Sequence, residues 1–406
     1  MKPALLFLCH RIPFPPNKGD KIRSYHLLKY LSEHYRVYLG TFIDDADDWQ
    51  YVEKVEALCE ACLFINLNPL QAKMKSISGL VTGDALTLPY YRSRELQNWV
   101  KAKVDGEKID IAVAMSSPMA QFLEGMSAQL NTQIIDLVDI DSDKWLQYAN
   151  AMKWPMSWVY RREADKLLAY EKKIAKQFDM SFFVSSTEAD MFKRKVPELA
   201  EKVSFYNNGV DSDYFSSSAM PDCDPVYPDE HLPIVFTGAM DYWPNVDAVY
   251  WFAHDILPSL RQQYPDLHFY IVGSKPTEKV QNLEQLEGIT VTGRVEDIRP
   301  YIHYAFAAVA PMKIARGIQN KVLEAMAMEK SVVVTSMGLE GIKAVPDKEV
   351  LIADTAQEFI HQISSLIEHD KADIGTAARQ RVMVDFSWDS SLPVIKSTIE
   401  RLLENR

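Results

Sequence analysis

The sequence predicts an α/β protein built from two doubly wound parallel sheets that face a cleft. Three observations carry that prediction. The apolar pattern switches repeatedly between short runs and helical periodicity. The strand candidates read as continuous apolar runs, as in Ile109-Asp110-Ile111-Ala112-Val113-Ala114 and Ile134-Ile135-Asp136-Leu137-Val138, which suits parallel strands covered on both faces. The chain has 406 residues, more than one ordinary domain, and a polar, proline-punctuated stretch interrupts it near the middle.

Taken in order, strands are expected at 3–9, 35–42, 61–67, 109–114, 133–138, 179–184 and 202–206, with helices at 20–34, 46–59, 92–104 and 157–177. The plan then repeats. Strands are expected at 233–237, 267–272, 289–291, 306–310, 331–335 and 349–352, and helices at 246–263, 277–286, 296–304, 318–328, 355–368 and 372–383. Strand–helix alternation of this kind builds a doubly wound sheet. Residues 1–210 form the first domain and 232–387 the second. Between them, Asn207-Asn208-Gly209-Val210-Asp211 reads as a turn, and Ser216-Ser217-Ser218 with Pro221, Pro225 and Pro228 reads as a linker over 211–231. Ligands of such sheets bind at the carboxyl ends of the strands.

Charge narrows the function. Lys and Arg number 44 against 56 Asp and Glu, a net charge of −12, and nucleic acid is not an expected partner. Residues 1–210 hold 27 basic and 27 acidic residues, so the second half carries the whole imbalance. No stretch reaches the roughly 18 apolar residues of a membrane span. The opening Met1–Cys9 run is short, is followed by Pro13, Pro15 and Pro16, and reads as a buried strand rather than a leader, which implies a cytoplasmic protein. Of the four cysteines, Cys59 and Cys62 form a C-x-x-C pair with no second pair to complete a zinc site, and Cys9 and Cys223 are isolated, so free thiols are expected.

Chemistry concentrates at 310–328, where a strand enters a helix across a loop bracketed by Pro311 and Gly317. A helix N-terminus offers unpaired N–H groups and a positive dipole, both suited to phosphate. Arg316 and Lys321 add positive charge. Gly317, Lys321 and Glu324 fall at i, i+4 and i+7 on one helix face, while Val322 and Met326 face the sheet. A glycine, a cation and a carboxylate in that order could hold a diphosphate and then a ribose diol about a turn and a half further on. The pattern equally fits an exposed helix end with Lys321 and Glu324 solvated.

This stretch resembles the donor motif of glycosyltransferase family 4, a group 1 family of GT-B fold, in its Glu324-Ala325-Met326-Ala327 run. The resemblance implies two Rossmann-like domains, a nucleotide diphosphate sugar donor, retention at the anomeric carbon and a ribose contact from Glu324. The family's first glutamate, eight positions earlier, is replaced here by Arg316. Phe236-Thr237-Gly238-Ala239-Met240 with Trp243-Pro244-Asn245 resembles the family's glycine loop. The cations that follow this loop in relatives are absent here, where Asp241, Asn245 and Asp247 stand, and Arg316 and Lys321 are the substitutes. Val291-Thr292-Gly293-Arg294-Val295 resembles the loop framing the base, and Phe386-Ser387-Trp388 the start of a final helix, 388–406, that rejoins the first domain.

Arg11-Ile12-Pro13-Phe14-Pro15-Pro16-Asn17-Lys18-Gly19-Asp20-Lys21-Ile22-Arg23 and Asp139-Ile140-Asp141-Ser142-Asp143-Lys144-Trp145 resemble the sugar transferases of exosortase (PEP-CTERM) exopolysaccharide clusters. Together these resemblances imply a glycosyltransferase with Arg316 and Lys321 as catalytic cations. The donor site would comprise Gly238, Arg294, Val295, Gly317, Ile318, Gln319, Asn320 and Glu324, and the acceptor side Gly19, Asp20, Arg23 and Asp139. No cofactor and no metal is expected, because the D-x-D spacing of Asp139, Asp141 and Asp143 fits capping better than a metal cage. The acceptor would be a glycan or a lipid-linked glycan. A nucleotide-sugar epimerase and a non-enzymatic nucleotide-sugar-binding protein are the alternatives. Residues 153–176 mix Trp154, Trp158, Arg161, Lys172 and Lys173, a pattern that fits peripheral membrane contact and also a packed helix with snorkelling lysines.

Overall fold

Seven short apolar runs pair in parallel as the first sheet. They are β1 (Ala4–Cys9), β2 (Arg36–Ile43), β3 (Ala61–Asn66), β4 (Ile111–Met115), β5 (Thr132–Val138), β6 (Met180–Phe183) and β7 (Val203–Phe205). Their order is β3-β2-β1-β4-β5-β6-β7. Every residue of β1 and β4 is buried, so neither face of these strands needs polar residues and alternation is absent. The computed structural model describes residues 2–16, 19–220, 225–315, 317–369 and 372–405. Arg316, Asn17, Lys18, Pro221 and Cys223 lie outside the described residues.

The helices that matter below are α1 (Gly19–His34), α2 (Arg94–Glu107), α3 (Asp141–Ala151) and α4 (Met156–Gln177). The second sheet comprises β8 (Leu232–Thr237), β9 (Leu267–Val272), β10 (Ile289–Gly293), β11 (Ala307–Ala310), β12 (Val332–Val334) and β13 (Leu351–Ile352), ordered β10-β9-β8-β11-β12-β13 and parallel throughout. Around it lie α5 (Trp243–Trp251), α6 (Asn320–Ala327), α7 (Ala356–Glu368) and α8 (Ala372–Asp385), and the chain ends in α9 (Pro393–Glu404). Two units result, Met1–Asn207 with Leu392–Arg406, and Asn208–Ser391, each with its own apolar core. In each sheet the strand order reverses once, between β1 and β4 and between β8 and β11. These are the topological switch points where doubly wound sheets open a crevice.

Several elements depart from the expected pattern. The helix expected over 46–59 is a 3₁₀ turn, Ala46–Tyr51, followed by the short Val52–Glu56. The helix expected over 246–263 is interrupted by a π turn, Phe252–Ile256. Pro258 lacks an N–H and crowds the carbonyl four residues back, and the wider turn accommodates it. Residues expected as linker dock on the second unit, where Arg379 donates to the carbonyls of Phe215 (3.1 Å) and Ser212 (3.3 Å), and Ser217 Oγ to that of Met328 (3.1 Å). Helical turns at Pro69–Ser76 and Ser78–Thr82, and α3 itself, appear where no helix was expected.

Candidate active site

The second switch point gathers three strand ends. Gly238, Gly273 and Gly293 end or follow β8, β9 and β10. The Gly273 N–H donates to the Gly293 carbonyl at 3.1 Å, and the Gly238 N–H to the Val272 carbonyl at 3.0 Å. A Cβ on Gly273 would fall 1.6 Å from the Gly238 carbonyl oxygen, so no other residue permits this approach. A Cβ on Gly238 would meet Asn245 Nδ2 at 2.7 Å and Lys321 Nζ at 3.5 Å. The expected donor residues Gly238 and Lys321 are therefore neighbours. Asn245 joins them: Nδ2 donates to the Ala239 carbonyl at 2.9 Å, and Oδ1 accepts from Lys321 Nζ.

Lys321 is not a solvated surface lysine. Its ammonium lies 4.4 Å from the centre of the Phe236 ring and 3.8 Å from Met312 Sδ. Burial brings it down to about 7, against the opposing pull of Glu324. Burial likewise pushes the Glu324 carboxyl up to about 7, against Lys321. The two part-buried groups sit one turn apart on α6 and hold each other close to their titration points. Val322 and Met326 are fully buried, which turns the Lys321–Glu324 face away from the core.

α6 begins at Asn320, so Gly317 lies in the preceding loop rather than on the helix face expected for it, and Ile318, expected to open the helix, lies in that loop too. Gly317 takes φ +68° with nothing within 4 Å of its absent Cβ, a left-handed turn beside open space. Ile318 is 9% exposed and packs beneath Gly341, so it supports the loop as a core residue. Gln319 Nε2 donates to the Gly317 carbonyl at 3.1 Å, and Gln319 gives α6 no side-chain cap. Asn320 Oδ1 is buried with no hydrogen-bond partner among the described residues. Arg294 is exposed and Val295 packs on the core at the end of β10, two strands from β8 and so about 10 Å away.

In the first unit, Gly19 opens α1 and Asp20 follows it. Asp20 accepts from Arg11 NH1 at 2.7 Å and lies 3.3 Å from His10 Nε2, while Arg11 also grips Asp44. Burial alone would raise the Asp20 carboxyl, but His10 and Arg11 hold it well below the usual carboxylate range. Asp20 is thus the centre of an ion-pair cluster. Arg23 corrects the expectation more strongly. It is fully buried, donating to Asp136 (2.8 and 3.2 Å) and to the carbonyls of Tyr206 (3.0 Å) and Phe183 (3.3 Å), with its guanidinium 3.5 Å over the Tyr206 ring. It ties α1 to the ends of β5, β6 and β7 and presents nothing to an acceptor. Lys21 is likewise buried, against Asp48 at 2.5 Å. Asp139 accepts from Lys144 at 2.6 Å, and Asp143 from Lys195 at 3.0 Å, so the D-x-D carboxylates are held by lysines. Among the described residues no group of three or more His, Cys, Asp or Glu is placed to hold a metal ion.

Residues 232–369 match the family model described as glycosyl transferases group 1, which supports a group 1 glycosyltransferase. Among curated proteins none matches the chain. Among solved structures, a glycosyltransferase from Rickettsia africae is similar at 16% identity and TM-score 0.65, with all of both chains covered. HepE of Anabaena in complex with UDP is similar at 15% identity and TM-score 0.65, covering 99% of this chain and 100% of that one. A sucrose-phosphate synthase from Thermosynechococcus elongatus is similar at 17% identity and TM-score 0.65, again over all of both chains. At this identity the likenesses show the fold, two doubly wound α/β sheets of GT-B type. No helix among the described residues is long and apolar enough to cross a membrane.

Proposed function

We propose that the protein transfers a sugar, with retention, from a nucleotide diphosphate sugar to a glycan or lipid-linked acceptor in exopolysaccharide biosynthesis, at the cytoplasmic face of the membrane. The observation that carries this reading is Lys321, a desolvated cation beside the uncapped N-terminus of α6 and the Gly238 loop. These groups suit a departing diphosphate. Negative charge grows on its oxygens as the glycosidic C–O bond breaks, and preorganised N–H groups and a desolvated ammonium gain most at that moment. The acceptor oxygen then bonds to the anomeric carbon from the same face, and its proton passes to the leaving phosphate oxygen. No step needs a metal. Glu324, one turn further along α6, takes the ribose diol, and the arriving diphosphate favours the ammonium of Lys321 and with it the carboxylate of Glu324. Arg316 is assigned to the same loop on its sequence position alone.

The group 1 match spans Gly238, Lys321 and Glu324. The resemblance of residues 11–23 and 139–145 to exopolysaccharide transferases supports the pathway. Because HepE was solved with UDP-glucose, that donor is the first probe. The test is a panel of nucleotide sugars with and without a glycan acceptor. Transfer is the expected result. An isomerised donor without acceptor would make the protein an epimerase, and binding without turnover a binding protein. Glu324→Gln should weaken donor affinity about ten- to a hundredfold while kcat changes little. A kcat loss at unchanged affinity would overturn the ribose role.

A further inference from the structure

The first unit displays large apolar side chains that its core does not use. Leu70, Met74, Ile77 and Val81 are all exposed, Val81 at 90%. They fall at i, i+4, i+7 and i+11, so through the helical turns Pro69–Ser76 and Ser78–Thr82 they form one stripe. Trp154, 81% exposed, and Trp158 stand out in the same way where the chain enters α4. Soluble surfaces scatter such residues singly, and a cluster marks an interaction site.

The two segments lie side by side. The Arg162 guanidinium on α4 donates to the carbonyls of Gly79 (2.7 Å) and Asp84 (3.1 Å). Glu163, the next residue, accepts from the backbone N–H groups of Leu86 (2.5 Å) and Thr87 (3.0 Å). The stripe and the tryptophans are therefore parts of one face.

Charge names the occupant. Residues 69–83 and 151–162 contain no Asp or Glu, in a chain of net charge −12. They contain Lys73, Lys75, Lys153 and Arg161, all exposed, besides the inward-turned Arg162. Tryptophan with aliphatic residues, interspersed with exposed cations, is the composition of an interfacial element on an anionic lipid surface. A second copy of the chain fits worse, because a two-fold interface would set these cations against themselves.

We propose that this face docks on an anionic lipid bilayer, with the 69–82 stripe and the tryptophans in the headgroup region and the four cations against lipid phosphates. The proposal does not depend on sugar transfer, because binding is read without donor or acceptor. The test is co-sedimentation of the full chain with phosphatidylcholine vesicles, with and without phosphatidylglycerol. The full chain should bind the phosphatidylglycerol vesicles, bind the neutral ones weakly, and release as salt rises. Lys73→Glu with Lys153→Glu should lower affinity by at least about fivefold per cation. Val81→Ser with Trp154→Ser should lower it at least about tenfold. These side chains are exposed, so thermal melts should match the unaltered chain and separate lost binding from lost folding. Absent binding to phosphatidylglycerol vesicles, or equal binding by both variants and the unaltered chain, overturns the proposal. So does a dimer in light scattering that the variants dissolve.

Discussion

α3 and α6 each follow the carboxyl end of a sheet strand, α3 directly and α6 across a loop, and their N-termini are treated in opposite ways. At α3 the protein fills the terminus itself. The Glu188 carboxylate accepts from the Ile140 N–H at 3.1 Å, and Glu171 takes the Ser142 N–H (3.1 Å) and hydroxyl (2.6 Å). Burial, with Asp141 adding to it, pushes Glu171 up to about 8, although its Ser142 hydrogen bonds pull it back. At α6 no side chain among the described residues caps the terminus, and the first turn carries the Lys321 ammonium. One terminus holds its own carboxyl groups, and the other leaves room for an anion from outside. A helix dipole alone therefore does not mark a site. The identity of the groups packed against it does.

Lys321→Met breaks the open end of the comparison and has the largest expected effect. It should cost about 10²–10³ in turnover, as loss of a preorganised group aimed at developing charge does. Steady-state kinetics with UDP-glucose would show it, and an unchanged kcat would move the diphosphate elsewhere. Next is pH. The free protein holds Lys321 near 7, while a bound diphosphate demands the ammonium, so binding takes up a proton above that pH. Donor affinity should fall by up to about tenfold per unit as pH rises past 7. Calorimetry across the range would read it, and Lys321→Arg should flatten the slope by keeping its charge.

The filled end predicts a smaller effect with its own sign. Glu171 binds its proton up to about pH 8 when folded, but only up to about 4.3 when unfolded. The folded state therefore holds the extra proton, and stability falls as pH rises between those values. Glu171→Gln should match the unaltered chain near pH 5 and melt a few degrees above it near pH 8. A constant difference across that range would contradict the assignment. The smallest expected effect is none: excess chelator should leave transfer unchanged if Lys321 and the α6 terminus meet the diphosphate charge as proposed. Loss of activity restored by Mn²⁺ would overturn that.

The α/β class and all thirteen strand positions were readable from local pattern, because continuous apolar runs are a property of a few adjacent residues. Lys321 and Glu324 were readable as a pair for the same reason, since α6 carries them one turn apart. What the pattern hid is long-range. The amide that holds Lys321, Asn245, lies 76 residues upstream. The groups that bury Arg23 lie 113 to 183 residues away, so a cation beside a loop read as an acceptor-side group. α3 was missed because its caps come from Glu171 and Glu188 rather than from its own first turn. Gly317 was placed on α6 because spacing alone does not say where a helix starts.

α9 belongs with the first unit, although the whole of the second unit is synthesised between them. Ile395 and Ile399 are buried in their unit and are made only after the second unit. At ordinary elongation rates the first sheet waits on the order of ten seconds or more for the helix that completes its unit. The second unit has no such wait, because Asn208–Ser391 is continuous. The first unit is thus the later of the two to be finished, and apolar surface meant for α9 stays uncovered on the nascent chain until the second unit has been made.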